Sequence, residues 1–262
     1  MTERFYGQFG EDRILADIFQ GTGPHTCVDV GANDGVTGSV SLHFENAGWS
    51  CVLIEPNPDL CARLRRERTA FLFEGAASST KGTTTLMLAE GDELAHAVSS
   101  IEPGAETSIE RLGLSARAVD VRTAPLDDIL EEAGVSAGEI AFVSIDVEGH
   151  ELAVLEGFTL SRWRPRIVIV EDNSILFGNG VRRVLAQNGY VRFRRTGVND
   201  WYAGQNDIDI SGPRPEHDYL SSMVRARGLM LRRRLSGVLV SVPVLGPAFA
   251  RVIRAARGRN DD

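Results

Sequence analysis

The chain has 262 residues, 43% hydrophobic and 24% charged, a balance that suits a folded globular protein and excludes a disordered one. Its net charge of −8 argues against nucleic acid as a partner. Three scattered cysteines without CxxC spacing point to neither a disulfide scaffold nor a zinc site. The opening "MTERFYGQFGEDRIL" lacks the apolar stretch of a signal peptide, so a cytoplasmic home is expected.

In chain order, "QFGEDRILADIF" spaces Ile14, Leu15, Ile18 and Phe19 as an amphipathic helix. The strand "TCVDV", a helix over residues 39–47, the strand "CVLIE" and a helix opened by "NPDL" follow, and "AFLFEGAA" reads as a third strand. Each strand is a short, nearly unbroken apolar run, as parallel strands covered on both faces require. "TTTLMLA" and "ARAVDVRT" read as added strands around a loop rich in Ser, Glu and Gly, and "PLDDILEEA" as a helix with Pro in its first turn. Alternation resumes with "IAFVSIDV", the helix "HELAVLEGF", the strand "RIVIVEDN", a helix near residues 181–188 and "YVRFRR", and "NDWYAG" closes as an antiparallel strand. The sum is a doubly wound α/β sheet of about seven mostly parallel strands, forming one domain over residues 1–218.

Residues 219–262 differ in kind. They hold 9 Arg against 2 Asp, whereas the preceding 218 residues hold 19 basic and 34 acidic residues. About sixteen mostly apolar residues there are interrupted by Pro243, Gly246 and Pro247, too short a run to span a bilayer comfortably. The expectation is either a peripheral contact with the inner membrane face, or a helical pair packed on the domain or on a second copy of the chain.

The stretch "CVDVGANDGVTG" places Asp29, Gly31, Asn33, Asp34 and Gly35 where the first strand surfaces, the position at which open α/β sheets bind ligands. The spacing is not GxGxxG, an acid stands where a pyrophosphate would be repelled, and no Walker lysine is present. A cationic ligand without phosphate suits these residues better. S-adenosylmethionine carries a sulfonium and an ammonium for the acids and carbonyls to meet. Glu55, ending the second strand, can accept both ribose hydroxyls, and Pro56 and Asn57 then turn the chain across the adenosine. A plain strand-to-helix turn is the competing reading of the loop taken alone.

Two later strand ends also carry acids. "SIDVEGHE" holds Asp146, Glu148, His150 and Glu151, and "VIVEDN" holds Glu171, Asp172 and Asn173. Converging carboxylates repel one another unless a proton or cation intervenes, and their oxygens suit Mg²⁺, Mn²⁺ or Ca²⁺. Asp146, Glu171 and Asp172 are therefore the candidate metal ligands. An alcohol acceptor must lose a proton during methyl transfer. His150 is the candidate general base, with Asp146 and Glu148 as further catalytic candidates. The plainer alternative is that His150 caps its helix and the acids are solvated.

These residues, read in order through "GQFGEDRIL", "VDVGANDG", "IEPNP", "APLDDIL", "SIDVEGHELAVLEGF" and "IVIVEDN", resemble the FkbM family of S-adenosylmethionine-dependent methyltransferases from about Phe5 to Tyr202. The resemblance implies a Rossmann-like class I methyltransferase fold and O-methylation of sugars, polyketides or related secondary metabolites. It implies that Gln8, Gly31, Asn33, Asp34 and Glu55 contact the cofactor; Asp29, Gly35, Asn57 and Ala76 complete the expected cofactor site. Mg²⁺ or Mn²⁺ is a further expected cofactor. The expected partner is a small-molecule or glycan acceptor, its shape set by residues 91–119 and by the loop after Asn173. N-methylation of a small amine, and a catalytically inactive cofactor-binding scaffold, are the competing functions.

Overall fold

The computed structural model describes residues 4–23, 25–90, 100–101, 105–111, 114–172 and 180–204. Its elements run α1 (Glu11–Ile18), β1 (Thr26–Val30), α2 (Leu42–Asn46), β2 (Ser50–Glu55), α3 (Pro58–Glu67), β3 (Phe71–Glu74) and β4 (Ala76–Ala77). They continue with β5 (Gly82–Glu90), α4 (Ala105–Arg111), β6 (Ser115–Ala124), α5 (Leu126–Glu132) and β7 (Ile140–Ile145). The last are α6 (Glu151–Glu156), α7 (Leu160–Trp163), β8 (Ile167–Glu171), α8 (Gly180–Gln187), β9 (Tyr190–Thr196) and β10 (Asn199–Gly204).

The main sheet has seven strands in the order β3-β2-β1-β7-β8-β10-β9. Strands β3, β2, β1, β7 and β8 pair in parallel, while β10 runs antiparallel to both β8 and β9. This is the doubly wound class I methyltransferase arrangement with "NDWYAG" as its reversed strand. The connections leave β1 in one direction and return at β7 on its other side, so the switch point of the sheet lies between β1 and β7.

Both faces of the parallel strands are buried, which explains why they read as continuous apolar runs. Val28 and Val30 point into a core shared with Leu126, Ile129, Val154, Leu155 and Leu185. Cys27 points to the other side, where Leu15, Phe19, Phe44 and Trp201 cover the sheet. All three cysteines are free and buried, and burial beside Cys51 pushes the Cys27 thiol well up.

"AFLFEGAA" is two strands rather than one. A Cβ at Gly75 would lie 2.7 Å from the Arg122 carbonyl oxygen and 2.6 Å from its Cγ, so glycine lets the chain press against β6 and change sheets. β4 then joins a three-stranded sheet in the order β4-β6-β5, whose long antiparallel pair is formed by "TTTLMLA" and "ARAVDVRT". Helices α4 and α7 are additional to the sequence reading. Asn173 and the Arg-rich tail lie outside the described residues. Among those described, no helix is long and apolar enough to cross a membrane.

Candidate active site

The β1–α2 loop is pinned to its neighbours by backbone contacts. Gly31 N and Ala32 N donate to the Ile54 carbonyl at 2.9 and 3.0 Å, and Asp146 N donates to the Val30 carbonyl at 2.9 Å. Gly31 has φ 87°, and a Cβ there would lie 1.8 Å from the Asp146 carbonyl oxygen. The glycine is therefore fixed by conformation and by space together.

Glu55 is buried at the end of β2. Its Oε2 accepts from Asn33 N at 2.9 Å and its Oε1 from Asn57 N at 2.8 Å. Burial raises its pKa to about 7, against the pull of those two donors. Each oxygen keeps a further lone pair, which suits an acceptor for two vicinal hydroxyls. Asn33 reaches its place with φ 53°, a left-handed conformation that asparagine tolerates. Asn57 instead uses its own side-chain oxygen to cap α3, accepting from Asp59 N at 3.0 Å.

Two of the expected cofactor residues, Asp34 and Asp29, are hydrogen-bonded within the loop and to the helix that follows it. The Asp34 carboxylate accepts from Val36 N at 2.9 Å, from Thr37 N at 2.7 Å and from the Thr37 hydroxyl at 2.9 Å, so it closes the loop on itself. Asp29 is buried and accepts from the Ser41 hydroxyl at 2.6 Å. Burial raises its pKa, with Ser41 and Arg68 opposing. Ala76 is buried in β4, paired with Thr123.

Sequence reasoning missed Arg68, the guanidinium behind this loop. Its NH1 donates to the Gly35 carbonyl at 2.9 Å and to Ser39 Oγ at 3.3 Å, and its NH2 donates to Ser41 Oγ at 3.0 Å. Its Nε meets Glu45 at 2.5 Å. Burial alone would raise Glu45, but Thr69 and Arg68 hold it below its ordinary value.

Across the switch point, the Asp146, Glu148 and Glu171 carboxylates bring one oxygen each within 4.8 Å of one another. Glu148 thus takes the place expected for Asp172, whose backbone N–H is bonded to Val198 O while its own carbonyl accepts from Arg195. Asp146 is exposed at the end of β7, with other acids close by. Desolvation, with Glu151, Asp29 and Glu11 nearby, lifts its pKa to about 6, against a hydrogen bond with Glu171. Glu148 is raised to about 7 by burial and by Asp146 and Glu151.

The loop bearing these acids is strained and braced. Glu148 has φ 54° and Gly149 φ 108°. Glu151 Oε1 accepts from Gly149 N at 2.9 Å, and Ser100 of the added lobe donates to the Glu148 carbonyl at 3.1 Å. His150 precedes α6 without a side-chain cap, and its Nε2 lies 3.0 Å from the Ser78 hydroxyl just past β4. The ring is thus anchored to the β4 end.

The sheet order, the glycine turn at β1 and the buried carboxylate at β2 define a class I methyltransferase domain, which carries S-adenosylmethionine as its methyl donor. The chain belongs to the FkbM methyltransferase domain family, whose model matches residues 29–192. No curated protein matches the sequence. Similar solved structures include monomeric WbdD, at TM-score 0.44 and 12% identity, covering 78% of this chain and 43% of that one. This chain accordingly spans less than half the length of WbdD. Another is the precorrin-6y C5,15-methyltransferase from Geobacter metallireducens GS-15, at TM-score 0.40 and 11% identity, covering 77% and 90% of the two chains. A TehB-like SAM-dependent methyltransferase from Corynebacterium glutamicum ATCC 13032 Kitasato has TM-score 0.39 and 11% identity, with 76% and 89% covered.

Proposed function

We propose that this domain transfers the methyl group of S-adenosylmethionine to a hydroxyl of a sugar, glycolipid or glycosylated secondary metabolite. The observation that carries the reading is the convergence of Asp146, Glu148 and Glu171 beside the Gly31 turn. A hydroxyl is a weak nucleophile, and a group that takes its proton as the new bond forms is worth about 10²–10⁴-fold in rate. An acidic trio next to the methyl donor supplies such a proton acceptor. His150, anchored on Ser78, flanks it from the β4 side.

On the β2 side, Glu55, which accepts from Asn33 N and Asn57 N, is the acceptor for the ribose hydroxyls in this reading. The donor, when bound, supplies the electrophilic methyl carbon. The oxygens of Asp146, Glu148 and Glu171 also suit a hard divalent cation by type and spacing. Mg²⁺ or Mn²⁺ held there would lower the pKa of an acceptor hydroxyl.

Mass spectrometry of sugar and amine acceptors, after incubation with isotopically labelled methyl donor, tests the reading. Label on hydroxyl oxygen supports it, and label on amines alone replaces it with N-methylation. Calorimetry showing no S-adenosylhomocysteine binding would defeat both. Transfer that stops with EDTA and returns with Mg²⁺ or Mn²⁺ assigns the trio to a metal, while unchanged transfer leaves it the proton acceptor.

A further inference from the structure

Residues 6–10 cross the carboxyl edge of the sheet as a strap. Gly7 forms a parallel bridge with Gly38, at the far end of the β1–α2 loop. The entry to the strap is held by Phe5, stacked on His43 with ring centroids 4.6 Å apart, and by His43 Nδ1 lying 3.1 Å from the Arg4 carbonyl. The exit is held by Glu11, which is 1% exposed. Its Oε2 accepts from Phe9 N at 2.8 Å. Its Oε1 accepts from the Thr196 hydroxyl at 2.8 Å and from Asn199 Nδ2 at 3.1 Å, on either side of the β9–β10 turn. Thr196 Oγ1 in turn accepts from the indole of the fully buried Trp201 at 2.9 Å, so the tether is rooted in the core.

Burying a carboxylate for the sake of a surface segment is expensive unless the position of that segment matters. Gln8 stands between the two anchors. It is exposed, its Cβ lies 3.7 Å from where a Cβ of Gly38 would be, and its carboxamide hydrogen-bonds to no described residue. The methyl donor brings one anionic group, its amino-acid carboxylate, to a mouth where Glu55, Asp146, Glu148 and Glu171 gather. A neutral amide donor is the group that can meet it without repulsion.

We propose that Glu11 is a positioning residue: it holds the strap so that the Gln8 carboxamide donates to the carboxylate end of the methyl donor. This rests on the cofactor reading of the β1 and β2 ends. The test is calorimetry on the full chain with two ligands. S-adenosylhomocysteine has the amino-acid end, and 5′-methylthioadenosine lacks it.

Glu11→Gln and Gln8→Ala are each expected to weaken S-adenosylhomocysteine about tenfold, and the double variant about tenfold rather than hundredfold, since both act through one contact. Methylthioadenosine should bind all four proteins within twofold. Multiplying effects, an equal loss for methylthioadenosine, or unchanged binding of S-adenosylhomocysteine would each overturn the proposal. Should Glu11→Gln fail to fold in a thermal melt, Thr196→Val removes a donor to Glu11 from the other side and carries the same expectations. A wild-type protein that binds neither ligand would instead defeat the cofactor reading itself.

Discussion

The two halves of the carboxyl edge solve opposite electrostatic problems. On the β1–β2 side each buried charge has a partner: Glu55 has two backbone N–H groups, Asp29 has Ser41, and Arg68 has Glu45, two hydroxyls and a carbonyl. On the β7–β8 side, three carboxylates face one another, and desolvation together with neighbouring acids, Glu151 among them, lifts Asp146 and Glu148 toward neutrality. The first half is finished before any ligand arrives, as a site that recognises a fixed cofactor should be. The second is left in tension that a proton, a cation or an acceptor relieves. On the proposed reading, binding is built into one half and reactivity into the other.

If that division holds, substitutions should separate along it. The largest effect is expected from Asp146→Asn, about 10³-fold in kcat on an acceptor found by the labelling screen, with S-adenosylhomocysteine affinity changed less than threefold. An equal loss of cofactor affinity would erase the distinction between the halves. Next comes Arg68→Met, which leaves Glu45 and the Gly35 carbonyl without their guanidinium. Urea unfolding should show a loss of about 3 kcal/mol, and a loss below about 1 kcal/mol would show that the loop stands without its support. Glu55→Gln keeps one acceptor oxygen but loses the charge. It should weaken S-adenosylhomocysteine about thirtyfold at pH 8, corresponding to about 2 kcal/mol.

The smallest effect is a pH slope of opposite sign for folding and for binding. Glu55 has a folded pKa of about 7, above its ordinary 4.5. Below 4.5 it is neutral in both states, so its stabilising contribution is complete there. As pH rises toward 7 the unfolded chain ionises first, and that contribution is lost by the time the folded pKa is passed. Thermal melts at pH 5 and pH 8 should therefore show a smaller decline in Glu55→Gln than in the wild type. Ribose hydroxyls donate best to the ionised form, so S-adenosylhomocysteine affinity should rise through pH 7 in the wild type and stay flat in the variant.

The alternation of unbroken apolar runs with amphipathic segments disclosed the sheet, because strands buried on both faces leave a strong signal. The strand ends carrying Gly31, Glu55, Asp146 and Glu171 were legible for the same reason: the end of an apolar run marks the mouth. The partition of duties among the acids was not legible. Asp34 also closes a local turn through N–H groups two and three residues ahead of it, a bond that the ligand reading of the loop did not include. Gly75 gave no sign of the sheet change, since the cause is Arg122, distant in sequence.

Arg68 and Glu11 could have been found. Arg68 is the C-cap of α3, four residues after Leu64 and seven after Cys61, and so continues the phase of the helix's apolar stripe. Glu11 precedes Leu15 by four, on the stripe of α1. A charged residue in phase with the core of an amphipathic helix signals a buried polar connection, whereas composition records only one more Arg or Glu.

The seam between Gly31 and the Asp146 carbonyl leaves no room even for a methyl group. An engineer wishing to redirect this protein to another acceptor would therefore gain nothing by carving at that line. A bulkier residue there would pry β1 from β7 and spoil both halves at once. The contact between Ser100 and the Glu148 turn lies apart from that seam, and a library confined to it is expected to leave S-adenosylhomocysteine affinity unchanged.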